Sequence, residues 1–200
     1  QIRLITVQRT QKRTVKIKRV LSCRQSSLAL VLENIHDPHN VSAIFRTCDA
    51  AGIPKVFLVY NNEPYPKIGK KSSASPFKCV EKEKYKSIEF CYETLHLEGF
   101  KIYASSVSDK PKNIFDLDFS RKIAIVFGNE HRGLSREAIE LADDKFFIPM
   151  YGMVQSLNVS VSAAITIYEA LRQRLKIGMY DKSDLSEVEM KRLIDEWSKK

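Results

Sequence analysis

The chain has 200 residues, enough for one or two domains with a real core, and its 44% hydrophobic content is that of an ordinary globular protein. No run of about 18 or more apolar residues occurs, which excludes a membrane-spanning helix. The formal net charge of +9 is uneven: residues 1–32 carry Arg3, Arg9, Lys12, Arg13, Lys16, Lys18, Arg19 and Arg24 with no acid, while the charges that follow nearly cancel.

A neutral body with a cationic N-terminal arm points to a polyanionic partner, and nucleic acid suits it better than an anionic membrane, because the arm lacks a wide apolar face with aromatic anchors. Cys23, Cys48, Cys79 and Cys91 are scattered without a CxxC pair, as expected for reduced thiols in a cytoplasmic protein rather than a disulfide framework or zinc site. The first residues lack the apolar core of a secretory signal, although a chain starting at Gln1 leaves room for residues ahead of it.

In chain order, Val15 and Ile17 alternate as in a strand, but Ile17, Val20 and Leu21 fit a helix, and a helix is expected. LALVLENI (28–35) has the length of a buried strand. A helix is expected from about Asn40, with Val41, Ile44, Phe45 and Cys48 on one face and Gly52 as its stop. KVFLVY (55–60) reads as a strand and 61–76 as a long loop with Pro64, Pro66 and Gly69. FKCVEK (77–82) suits a short strand, and residues 88–97 a helix closed by Gly99. FKIYAS (100–105), KIAIVF (122–127) and KFFIPM (145–150) read as strands, with Ser135 capping a helix through Leu141. A long helix is expected from about Asn158 to Leu175, and SEVE (186–189) is a capping box opening a last helix with Val188, Leu193, Ile194 and Trp197 available to dock. Strands alternating with helices imply an α/β fold, a mostly parallel sheet covered on both faces.

Ligands of such sheets bind at the carboxyl ends of strands, and three of those ends are unusually polar. The first, ENIHDPHNVSAIFR, crowds Glu33, Asn34, His36, Asp37, His39 and Asn40 into one turn, with Arg46 further along the helix. Asn40 suits either a plain N-cap or a site, and Arg46, opposite Val41 and Phe45, either solvent or a site. His36-x-x-His39 has no further histidine or cysteine nearby, since His96 and His131 are distant in the chain, so no metal site is expected. The second, FGNEHRGLS, is neither a phosphate loop nor a GxGxxG fingerprint, which disfavours a nicotinamide oxidoreductase. Its Gly128 permits close backbone approach, but Asn129 and Glu130 are more than an ordinary loop requires. The third combines the apolar Ile148, Pro149, Met150 and Met153 with Gln155, Ser156 and Asn158, as a small-cofactor pocket does.

Taken together, NVSAIFRTCDAAGI, IAIVFGNEHRGLS and IPMYGMVQSLNVSVSAAI, in that order and separation, resemble the three motifs of the SpoU family of RNA ribose 2′-O-methyltransferases, part of the SPOUT group, over about residues 25–177. The basic arm, IHDPHNVSA and the tail RQRLKIGMYDKSDL look closer still to the family's TrmH-type branch, which acts on the D-loop guanosine at position 18 of tRNA. The resemblance implies a homodimer, a C-terminal trefoil knot and S-adenosylmethionine as co-substrate, with no metal. It places Asn40, Arg46, Glu130, Ser156 and Asn158 at catalytic and site-shaping positions, and Ser105, Gly128, Ile148 and Leu157 at cofactor-contacting ones. Arg172 and Arg174 match arginines implicated in tRNA binding; the arm's Lys12, Arg13, Lys16 and Lys18 are expected to join them on charge alone. The expected organisation is a basic RNA-binding extension over 1–24, a methyltransferase domain over 25–177 and a helical tail over 178–200. An rRNA 2′-O-methyltransferase of the same family and a catalytically silent RNA-binding protein are the competing readings.

Overall fold

The computed structural model describes residues 2–66, 79–106 and 110–199, and the side chains of 11–66, 79–106 and 110–198. Residues 67–78, which hold the second half of the expected long loop and the start of FKCVEK, lie outside the described residues. The helices are α1 (Ile2–Leu21), α2 (Pro38–Ala50), α3 (Ile88–Leu97), α4 (Arg136–Glu140), α5 (Val159–Lys176) and α6 (Glu187–Lys199). The strands are β1 (Leu28–Glu33), β2 (Lys55–Val59), β3 (Glu81–Tyr85), β4 (Lys101–Ser105), β5 (Lys112–Asn113), β6 (Ile123–Phe127) and β7 (Asp144–Phe147). They form one sheet in the order β3-β2-β1-β6-β4-β7-β5, and every pairing is parallel.

β1 lies in the interior of the sheet between β2 and β6 and is buried throughout. Its side chains alternate between the faces. Leu28, Leu30 and Leu32 pack with Val41, Ile44 and Phe45 of α2 and Ala163, Ile167 and Ala170 of α5. Ala29 and Val31 pack with Ile88, Cys91 and Leu95 of α3 and Ala138 of α4. The strand therefore reads as a continuous apolar run because helices cover both sides. Its terminal Glu33 is 1% exposed and accepts from Ser135 N–H and Oγ–H at 2.8 and 2.6 Å, fixing the start of α4. Glu33 thus serves the scaffold.

The chain ends form a separate layer in which Ile17 and Leu21 of α1 meet Leu193 and Trp197 of α6. The capping box is present, with Ser186 N–H donating to Glu189 and Glu189 N–H to Ser186 Oγ, both at 3.2 Å. Val188 does not dock; it is 78% exposed because it falls outside the Met190–Leu193–Ile194–Trp197 stripe. Residues 2–21 are helical, as Ile17, Val20 and Leu21 indicated. β5 and the 3-10 turn Ile114–Asp116 have no counterpart in the sequence reading, since two or three residues carry no detectable period.

Arg174 corrects an expectation. It is fully buried, and its guanidinium donates to the carbonyls of Phe119, Ser27 and Arg121 at 2.9, 2.9 and 2.6 Å, to Ser27 Oγ at 2.9 Å and to Gln25 Oε1 at 3.3 Å. These bonds lock the end of α5 to the segments entering β1 and β6. With its donors directed into the protein, Arg174 has none to offer RNA in this fold. Burial pulls its pKa down, against the raising influence of Tyr180, Asp184 and Asp118.

Candidate active site

Because every strand runs the same way, the ends of β1, β6, β4 and β7 open on one edge of the sheet. α2 begins there two residues earlier than expected: Asp37 accepts from His39 N–H at 2.8 Å as the N-cap, and Pro38 occupies the first turn. Asn40 is therefore not the cap. It lies inside the first turn, 8% exposed, with its amide directed across to the other motifs.

There the three polar segments meet. Asn40 Nδ2 donates to Glu130 Oε1 at 2.8 Å, and Asn158 Nδ2 donates to Asn40 Oδ1 at 3.1 Å. Glu130 also accepts the backbone N–H groups of His36 and Asp37 at 2.9 and 3.2 Å. Asn158 is the N-cap of α5, with its Oδ1 accepting from Ser160 N–H and Oγ–H at 2.8 and 2.6 Å. Glu130 and Asn158 thus reach Asn40 across 90 and 118 residues of chain. Burial pushes the Glu130 carboxyl up, but the donors from Asn40, His36 and Asp37 outweigh it and leave its pKa below the usual carboxylate range.

Arg46 stands six residues beyond Asn40, roughly 9 Å of helix rise, on the exposed line of α2 that also carries His39 and Ala43. Ser156 is exposed and Leu157 half-buried, both immediately before the α5 cap. Ser105 ends β4, Gly128 follows β6 and Ile148 follows β7, so the expected cofactor positions occupy three adjacent strand ends, all half-buried. A Cβ at Gly128 would lie 2.3 Å from Gly133 C and Leu134 N. The loop after β6 folds back on that point, and only glycine fits it.

Lys12, Arg13, Lys16 and Lys18 are exposed on α1, where Arg13 also donates to the Trp197 carbonyl at 3.2 Å. Arg172 is exposed and paired with Glu169 at 2.8 Å, two residues before the buried Arg174. Among the described residues no group of three or more His, Cys, Asp or Glu is arranged to hold a metal ion. The sequence reading passed over Glu63, which pairs with Arg132 at 2.6 Å beside His36. It sits in a loop with no motif, and the only signal was its position just after a strand.

Residues 27–168 match the SpoU rRNA Methylase family. The tRNA (guanosine(18)-2′-O)-methyltransferase of Thermus thermophilus is 39% identical over 193 residues, covering 96% of this chain and 99% of that protein. The Escherichia coli protein of the same name is 39% identical over 186 residues, covering 92% of this chain and 81% of its own length. The crystal structure of the Aquifex aeolicus TrmH/SpoU tRNA modifying enzyme superposes with a TM-score of 0.89 at 37% identity, covering 95% of this chain and 96% of that one. By its motifs, its fold and these likenesses, the chain belongs to the SpoU methylase family.

Proposed function

We propose that the chain transfers a methyl group from S-adenosylmethionine to the ribose 2′-hydroxyl of guanosine 18 in the D-loop of tRNA, the reaction named for the Thermus and Escherichia relatives. One observation carries the reading: the Glu130–Asn40–Asn158 chain of hydrogen bonds, which unites three distant motifs at the open edge of a parallel sheet.

The donor set suits the co-substrate. Ile148 and Leu157 supply apolar walls, and Ser105 and the bare backbone at Gly128 supply polar groups beside them, all half-buried. When bound, S-adenosylmethionine supplies a methyl group carried on a positively charged sulfur. Asn40 and Asn158 each spend one of two side-chain N–H donors within the network, which leaves a second to orient the ribose oxygens. Ser156, on the exposed approach to α5, completes the pocket backbone.

Arg46 remains a cation, since a guanidinium is not deprotonated in proteins. It grips the phosphate beside the target ribose with its planar fork and stabilises the developing 2′-alkoxide, while the proton leaves to that phosphate or to water. The exposed Arg132, on the loop after β6, favours the same anionic partner. Lys12, Lys16 and Lys18 on α1, with Arg13 and Arg172, extend that surface to distant phosphates. Such a substrate and four free cysteines suit a cytoplasmic setting.

The reading includes the trefoil knot and a homodimer. Tyr151, Met153 and Val154 are 99%, 100% and 62% exposed, and Val161, Tyr168 and Leu175 are 45%, 52% and 53% exposed on one face of α5. An apolar surface continuous with the site suits a second copy of the chain. Tyr168→Glu is expected to shift the sedimentation coefficient to that of a monomer; an unchanged value removes this face from the interface.

Purified protein incubated with S-adenosylmethionine and a tRNA transcript is expected to yield 2′-O-methylguanosine at position 18 and nowhere else. Methylation of ribosomal RNA in its place would keep the chemistry and change the substrate. No cofactor binding by calorimetry would leave a silent RNA-binding protein.

A further inference from the structure

The loops after β1, β2 and β6 are clamped together beside the site by two buried asparagines. Asn34, 5% exposed and in left-handed backbone at φ 52°, accepts the backbone N–H groups of Asn61, Asn62 and Glu63 at 3.2, 3.1 and 3.2 Å. Its carbonyl accepts from Asn129 Nδ2 at 2.7 Å, and Asn129 Oδ1 in turn accepts the N–H groups of His131 and Arg132 at 2.9 and 3.1 Å. The outcome is that Glu63 meets Arg132, 69 residues away, with Nη2 donating to Oε1 at 2.6 Å. The other Glu63 oxygen faces His36 Nδ1 at 3.4 Å, and His36 N–H is itself bound to Glu130 at 2.9 Å. One residue, His36, therefore separates this ion pair from the Glu130–Asn40–Asn158 chain.

A pair at the surface contributes little to stability, so two buried asparagines spent on placing one point to another use. The Arg132 side chain is 59% exposed and that of Glu63 17%. The Arg132 guanidinium, with His36 second, holds the Glu63 carboxyl below the usual range, so it is an acceptor at neutral pH. A carboxylate has about four acceptor positions, and two are taken here. A fixed carboxylate beside a guanidinium matches guanine: N1–H and the N2 amine donate, while O6 and N7 accept. Adenine reverses that order at N1 and at its 6-amine.

We propose that Glu63, set by Asn34 and paired with Arg132, reads the N1–H and N2 amine of the guanine whose ribose lies at Asn40 and Asn158, and so is a specificity residue of this site. The inference rests on the guanosine reading above. The test compares kcat/KM of the full chain on tRNA carrying guanosine or inosine at position 18, inosine lacking the N2 amine. The wild type is expected to favour guanosine by about tenfold or more. Glu63→Ala and Glu63→Gln are expected to collapse that ratio towards one, chiefly by lowering the guanosine value, with the cofactor Kd and Tm unchanged. A wild type indifferent to the N2 amine, or Glu63 variants that slow both substrates equally, overturns the inference and leaves Glu63 a loop anchor. A wild type that methylates neither tRNA overturns the guanosine reading along with it.

Discussion

The two ends of α5 make the same kind of connection for opposite purposes. At its start, Asn158 joins two other polar side chains and holds three loops together at the carboxyl edge of the sheet. At its end, Arg174 holds three segments together at the amino edge. The arginine is fully buried and its donors are directed inward, so it can only be scaffold. Asn40 and Asn158 at the open edge each spend only one of two side-chain N–H donors on the network, and Asn158 is exposed. Saturation and burial, rather than residue type, separate structure from site in this protein. Arg172 makes the same point two residues away, since among the described residues its guanidinium pairs with Glu169 and its side chain is 64% exposed.

That contrast can be broken at either end. The largest effect is expected from Arg174→Ala, which leaves buried carbonyls without donors. It should cost about 3–5 kcal/mol of stability by urea unfolding, whereas Arg172→Ala should leave the unfolding midpoint in place and weaken tRNA binding. Equal destabilisation by the two variants would erase the distinction. Next comes Arg46→Ala, whose exposed side chain predicts an unchanged Tm with turnover reduced about 100- to 1,000-fold. Arg46→Lys should recover little if the planar fork is needed, and near-wild-type turnover by Lys would refute that account.

Smaller is the contribution of α1. Neutralising Lys12, Arg13, Lys16 and Lys18 together should lower the slope of log affinity against log salt by about 0.7–0.9 for each phosphate that the arm no longer neutralises. An unchanged slope would remove the arm from the RNA-binding surface. The smallest effect concerns Glu130, whose carboxyl is held below the usual range. A depressed pKa means its stabilisation is present at neutral pH and is lost as pH falls through the folded-state value. Its size is expected to be under about 1 kcal/mol because the group is largely screened by solvent. Stability of wild type and Glu130→Gln, measured from neutral pH down to acid, should converge at the acid end; parallel curves would show that the clamp carries no charge-dependent stability.

Local rules made much of the fold legible. The apolar run of β1, the Ser135 cap and the Ser186–Glu189 box depend on neighbours within a few residues, and all are present. Asn40 was legible as polar at a strand end but not as cap or site, because the choice turned on whether Asp37 took the capping role. The long-range partners were closed to the sequence. Nothing near Glu63 announces Arg132, and nothing in the RQR triplet separates the exposed Arg172 from the buried Arg174.

By itself the sequence determined the order of the strands and helices other than β5, the polar strand ends and the family motifs, because these follow from periodicity, capping and residue spacing along one stretch of chain. The tertiary structure alone decided which polar groups meet and which are sealed from solvent. Those outcomes depend on distant segments, Asn40 lying 90 residues from Glu130 and 118 from Asn158, converging on one edge of the sheet, where burial and hydrogen-bond partners are set by packing rather than by any neighbour in the chain.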